Sequence, residues 1–393
     1  MKKKSLQIMR LLLVCSLFLG CSVSEKDSTR KDILDIFKSS LRHENFFVRS
    51  AAVKAIGEMG DPDLATKVIP HFKDPEPFVR LFTVESVAQL GGPDTLKLLL
   101  AAGSDPDPMV RIAVVKALQE LTGLDGKVHG LPLGKILLPF LKDPDPTVHL
   151  FAKAALVKQG AEKGCDPCEM LDAIFAATAD PETMPSALAA LGRSHSKRAI
   201  PILAKALLHA DSSIRMFAAE ALGEIAAPET FPLLAPFIKD QDGSVRASAA
   251  TALGKIGDKK AIPILERLLT DSEPSVKISA AEALARLGKI RFDIYQEGLK
   301  HDDYGIRHAV MGSLQKVGNV AAMPILISGL SDKAPRVRIA AVRAIGALGG
   351  EKEIPVLRGQ LSDPDLSVRA YAAGNLGRLL YKPKMKSFEI SGR

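Results

Sequence analysis

The stretch Asp105–Leu121, "DPDPMVRIAVVKALQEL", sets an arginine six residues after an aspartate at the head of an apolar run. Asp107 has the side chain of a helix N-cap, and Pro108 suits a first helical turn, where no amide donor is missed. Val110, Val114, Ala117, Leu118 and Leu121 then recur at helical spacing. The pattern returns along the chain. Aligned on the hydrophobic–Arg pair, copies fall at Val48-Arg49, Val79-Arg80, Val110-Arg111, Val148-His149, Ile214-Arg215, Val245-Arg246, Val276-Lys277, Ile306-Arg307, Val337-Arg338 and Val368-Arg369, with a weak copy at Met184-Pro185. Steps are 30 or 31 residues, except for 38 and 36 on either side of Val148. A fixed period of this size predicts stacked units, each too small to bury its own apolar face.

Each unit reads as two helices. In Lys260–Gly288, Pro263 opens the first, Ile264, Leu265, Leu268 and Leu269 form its buried stripe, and Asp271 begins the turn. Val276, Ala280, Ala283, Leu284 and Leu287 make the apolar face of the second, and Gly288 supplies a left-handed cap. The pattern resembles the HEAT-repeat superfamily, in the short variety named after phycobilin lyases, over residues 30–380. That resemblance implies an all-α fold: a right-handed α-solenoid of about eleven helix pairs with a period of ~31 residues and a contour on the order of 100 Å. The solenoid is expected over residues 32–380, with an irregular middle at 122–192 where both long steps insert residues.

The recurring arginines, Arg49, Arg80, Arg111, Arg215, Arg246, Arg307, Arg338 and Arg369, read as structural. A catalytic pair occurs once, whereas Asp74, Asp105, Asp240, Asp332 and Asp363 each stand six residues before such an arginine. Each arginine is expected to bridge a turn carboxylate and free backbone carbonyls, forming a ladder along one edge. His43-Glu44 is similar to the His-Glu pairs of deoxyhypusine hydroxylase, a HEAT-type iron enzyme. That family needs several such pairs and this chain has one, with His43 in the ladder aspartate position. No phosphate loop, nucleophile elbow, dinucleotide fingerprint or His-Glu-x-x-His occurs. Neither a catalytic residue nor a cofactor is expected.

The first twenty residues read as a signal peptide: Lys2, Lys3, Lys4 and Arg10, an apolar run Leu11–Leu19, then Gly20 before Cys21. "LFLGC" resembles the lipobox of bacterial lipoproteins, which implies acylation at Cys21 and a polar tether over 21–31. Those four basic residues account for half of the +8 formal charge. With 5% aromatics and no Trp besides, nucleic acid is not an expected partner. Cys165 and Cys168 are the remaining cysteines outside the leader and are expected to form a disulfide in an exported protein.

The resemblance places the second helices on the concave face, where positions five and nine residues after the ladder arginine share a side. In the last five units these include Lys255, Arg286, Lys316, Arg343 and Arg378, a basic set that predicts an acidic protein partner. The tail 381–393 continues that basic character outside the repeats. The expectation is a non-enzymatic protein-binding scaffold or assembly factor, lipid-anchored in a bacterial envelope and touching membrane only through its anchor. The outer membrane is the expected site in a diderm cell. The alternative implied by the same resemblance is an enzyme of the lyase or hydroxylase kind.

Overall fold

The computed structural model describes residues 26–123, 127–159 and 167–381. Eleven second helices form its spine, labelled α1–α11 here: Phe46–Met59, Pro77–Leu90, Pro108–Glu120, Pro146–Gln159, Met184–Arg193, Ser212–Ile225, Gly243–Ile256, Pro274–Arg286, Tyr304–Val317, Pro335–Leu348 and Leu366–Leu380. Most are 13–15 residues long. The intervening first helices are shorter and often broken into 3₁₀ turns, as at Pro228–Thr230, Phe231–Leu234 and Ala235–Lys239. Prolines in their first turns, such as Pro232 and Pro236, account for those interruptions, because proline donates no hydrogen bond to the preceding turn.

Local chemistry sets the boundaries. Asn45, Asp107, Asp211, Asp242, Asp303 and Asp365 each accept an amide hydrogen at the start of a second helix. Gly60, Gly257 and Gly318 end their helices in the left-handed region. Small residues fix the spacing between neighbours. A Cβ on Gly223 would stand 2.8 Å from Ala252 Cα, and one on Gly254 would stand 2.7 Å from Ala283 Cα. Ala and Gly therefore occupy these crossings, and helices approach backbone to backbone.

The array does not run open-ended. α11 packs against α1 with the same small-residue contact: a Cβ on Gly374 would lie 2.4 Å from the Ala55 carbonyl oxygen, and one on Gly377 would lie 2.6 Å from Met59 Sδ. Arg343 on α10 reaches past α11 to Glu58 on α1, with nitrogen–oxygen distances of 2.9 and 2.5 Å. Tyr381 Oη donates to the Lys26 carbonyl, and the Arg30 guanidinium lies 5.0 Å from the Tyr381 ring centre. The larger of two apolar cores runs through this seam, holding Ile33, Ile56, Ala373 and Leu376 together. The expected solenoid of eleven helix pairs thus closes on itself as a ring. Eleven helices at ~8–10 Å spacing close a circle roughly 30 Å across at their axes.

Two boundaries also differ from expectation. Residues 26–40 form one helix, and Thr29, Ile33 and Phe37 are buried, so helix begins within the segment expected as tether. Tyr381, expected in the tail, belongs to the seam. In the irregular middle, Lys127–Val128 pairs antiparallel with Leu131–Pro132. His129 and Gly130 take positive φ at the turn, as a two-residue hairpin requires. This small hairpin interrupts the all-α pattern and buries Val128 completely.

Candidate functional site: the ladder and the inner face of the ring

Seven rungs of the ladder share one geometry. Arg80 Nε and Nη2 donate to both oxygens of Asp105 at 2.7 and 2.8 Å, while Nη1 donates to the carbonyls of Asp74 and Pro75. Arg49–Asp74, Arg111–Asp143, Arg215–Asp240, Arg246–Asp271, Arg307–Asp332 and Arg338–Asp363 repeat it. The carboxylate comes from the following unit, not from six residues earlier. The earlier aspartate contributes its carbonyl, and its own side chain serves the preceding arginine. Each aspartate also accepts the amide two residues on, as Asp105 does from Asp107. One side chain thus closes a turn and ties two units.

Histidine occupies the aspartate position at His43, His209 and His301, and each Nδ1 accepts the amide two residues on. Two of them follow units without a ladder arginine, those carrying Met184 and Lys277. His43 therefore has a turn-closing bond in place of the aspartate's. Arg369, whose following unit in the ring begins with His43, is the exception: its Nε is buried without a hydrogen-bond partner. The ladder stops at the seam, which small-residue packing and the Arg343–Glu58 pair hold instead.

Hydrogen bonds from Arg215, Arg246 and Arg307 hold the carboxyls of Asp240, Asp271 and Asp332 below the usual range, against the opposing effect of burial. Groups with depressed folded values stabilise the fold fully above their unfolded pKa, near 4, and lose that contribution as pH falls through the folded value. Arg246→Ala strands the Asp271 carboxylate, whose side chain is 9% exposed. It is expected to cost about 1–3 kcal/mol in urea unfolding at pH 7. The deficit should shrink as pH falls below about 4, first as the variant's stranded carboxyl protonates and then as pH passes the depressed value of Asp271 in the wild type. A deficit constant down to pH 2 would contradict the ion-pair origin.

On the inner face, four of the five cations expected to hold an acidic partner already face the chain's own acids. Lys255 meets Glu224 at 2.5 Å, Arg286 meets Glu282 at 3.3 Å, Lys316 approaches the same Glu282 at 3.5 Å, and Arg343 bonds Glu58. Four of the five charges are thus met within the chain, and closure is what brings Glu58 beside Arg343. Arg378 bonds no carboxylate among the described residues, and burial pushes its guanidinium below the usual range.

Two inner-face features were not anticipated. Arg193 belongs to the weak fifth unit: a Cβ on Gly192 would stand 2.7 Å from Ala221 Cα, the relation Gly223 has to Ala252. That register puts Met184, not Pro185, at the ladder position, and Arg193 nine residues later on the inner side. The other feature is an apolar arc. Phe47, Phe78 and Met109 stand two residues before their ladder arginines on consecutive helices and are 58%, 60% and 56% exposed. Across the seam the arc continues to Tyr304, 47% exposed, over a concavity of about 630 Å³ lined by Phe47, Tyr304, Pro335, Arg336 and Tyr371. Because the ring is closed, units nine to eleven and one to three share this rim.

Cys21 lies outside the described residues, as do Cys165, the Cys168 side chain and residues 382–393. Among the described residues, no helix is long and apolar enough to cross a membrane. No three His, Cys, Asp or Glu side chains gather there as metal ligands either.

The fold is that of a protein built from stacked helix pairs joined into a ring, with its second helices packed side by side. A family model described as HEAT repeats matches residues 65–128, 169–249, 206–285 and 294–377, well over half the chain. The chain belongs to the HEAT-repeat family. Among solved structures, the complex of CpcE and CpcF of phycocyanin lyase from Nostoc is 21% identical, covering 61% of this chain and 93% of that chain, with a TM-score of 0.40. Human deoxyhypusine hydroxylase is 20% identical over 69% of this chain and 99% of that one, with a TM-score of 0.31. Kap121p bound to Nup53p is 15% identical over 89% and 46%, with a TM-score of 0.41. No curated protein matches the chain.

Proposed function

We propose that the ring is a non-enzymatic scaffold that docks another protein on its inner rim, held to a bacterial envelope membrane by a lipid on Cys21. The apolar arc carries this reading. Three large apolar side chains, each more than half exposed and at one equivalent position on consecutive helices, are a costly surface for a protein without a partner. Single exposed apolar residues are ordinary; a register-matched row beside a concavity is a docking feature. The ladder, repeated in seven rungs, supplies rigidity rather than chemistry.

The anchor is tested by Cys21→Ala. The variant should leave the membrane fraction and lose radiolabelled fatty acid, with the folded ring unchanged in circular dichroism. Continued labelling would overturn the anchor without touching the docking proposal. Docking is tested by cross-linking in detergent-solubilised envelope, using a photoreactive residue at Phe78. A discrete protein adduct, absent when the same group replaces Leu208 (80% exposed, away from the arc), is the expected result. Equal adducts at both positions would refute the rim as a docking face.

A further inference from the structure

A second cavity opens on the inner face in the irregular segment. It has a volume of about 260 Å³ and is lined by Gln119 and Glu120 of α3, Lys158 and Gln159 of α4, Arg193 of α5, His195 and Glu224. Two of these residues have unmet bonding needs. Gln119 is 9% exposed, its Oε1 accepts from Arg193 Nη2 at 3.1 Å, and its Nε2 is buried without a partner among the described residues. The bond from arginine fixes the amide orientation, so the unpartnered atom is a donor in need of an acceptor.

Arg193 differs from the rung arginines and from Arg343, and like Arg378 it bonds no carboxylate among the described residues. The seven rung arginines and Arg343 each bond a carboxylate, and each is held above its usual pKa despite some burial. Arg193 bonds a neutral amide and lies 5.6 Å from the Phe151 ring centre. Burial pushes it below its usual value, only partly offset by the fields of Glu120 and Glu224. Glu224 is engaged by Lys255 at 2.5 Å, and Glu120 is exposed. Lys158 adds a further positive charge at the wall. A half-buried guanidinium with no carboxylate partner among the described residues, beside a buried amide donor without an acceptor there, is a site built for an anionic acceptor.

We infer that this cavity binds a single carboxylate, with Arg193 as its anchor and Gln119 Nε2 as its second donor. Glu120 at the wall disfavours a polyanion, and the volume suits a side chain or a small acid rather than a large cofactor. The carboxylate has two sources, a lone acidic side chain or a chain terminus. The inference does not depend on the apolar rim, whose residues line none of this cavity.

The test titrates the purified full ring with two probes, acetyl-glutamate N-methylamide for the side chain and acetyl-alanyl-alanine for the terminus. Ligand-observed nuclear magnetic resonance reads the affinity. At least one probe should bind with a Kd below about 1 mM, and whichever binds tighter names the source. Arg193→Met should weaken binding tenfold or more, and Gln119→Met by severalfold. Glu120→Gln should strengthen it, since a repelling charge is removed. Arg378→Met, outside the cavity, should leave it unchanged. Should Arg193→Met fold poorly by circular dichroism, Arg193→Lys and Glu120→Gln carry the test, with opposite expected signs. Absent binding of both probes at 10 mM, unchanged affinity in a folded Arg193 variant, or weaker binding in Glu120→Gln would each overturn the site. Tighter binding of inorganic phosphate than of either probe would overturn the carboxylate assignment.

Discussion

Gly374→Leu should break the ring, whereas Gly312→Leu should be tolerated. The two glycines are equivalent, each five residues after a ladder arginine on its helix. A Cβ on Gly312 meets nothing within 4 Å, while one on Gly374 would lie 2.4 Å from the Ala55 carbonyl oxygen. That contact is backbone and cannot swing aside as a flexible side chain would. Relief requires α1 and α11 to separate, which also pulls Arg343 from Glu58 and exposes the core beneath. Overpacking typically costs 1–3 kcal/mol, and a leucine wedged between two backbones is expected at or above the upper end, about 3 kcal/mol. Gly312→Leu adds helix propensity at an open position and should be neutral or mildly stabilising. Thermal unfolding of the pair checks this. Equal, small effects at both positions would mean that the seam is loose.

Losing the apolar rim should have the largest effect on binding and almost none on stability. Phe47→Glu, Phe78→Glu and Met109→Glu combined replace side chains already more than half in water, so the change in stability should stay within about 0.5 kcal/mol per site. Against a partner identified by the Phe78 cross-link, the triple variant should bind at least about a hundredfold more weakly, roughly 2.7 kcal/mol. Buried aromatic anchors dominate such interfaces and are replaced here by charges that must be desolvated. An affinity within threefold of the wild type, with folding intact, would remove the rim from the proposal.

The repeat was legible in the sequence because its signal is local and recurs: N-cap, proline, hydrophobic–Arg pair and closing glycine are all within reach of one another. The rungs were half legible. Asp105 and Arg111 are six apart and invite pairing, yet the arginine leans toward its own turn's carbonyls while its guanidinium edge faces the next unit. Only the stacking of units reveals that Asp143 is its carboxylate. Closure was invisible, since Gly374 and Ala55 are far apart in sequence and no period marks two ends as complementary. The internal pairing of the basic groove was hidden for the same reason, because Glu58 and Arg343 belong to opposite ends of the chain. The apolar rim leaves a signal in the sequence that only the closed ring gives a meaning. Two residues before the ladder position stand Phe47, Phe78 and Met109 in the first three units, against Ser213, Ser244, Ser275 and Ser367 later. Arg193 was hidden by a register one residue off, which the Gly192–Ala221 contact corrects.

The ring itself is best tested by one distance. Lys31, on the helix spanning residues 26–40, and Lys352, in the last unit, are both exposed and flank the seam. Spin labels at these positions, in a variant with Cys165 and Cys168 changed to serine, report whether the ends of the chain meet. A closed ring puts neighbouring outer helices one packing distance apart, so pulsed dipolar spectroscopy should give a narrow distribution below about 30 Å. An open array of eleven units would place the same labels on the order of 90 Å apart, beyond a resolvable dipolar signal, and that result would contradict the closed ring.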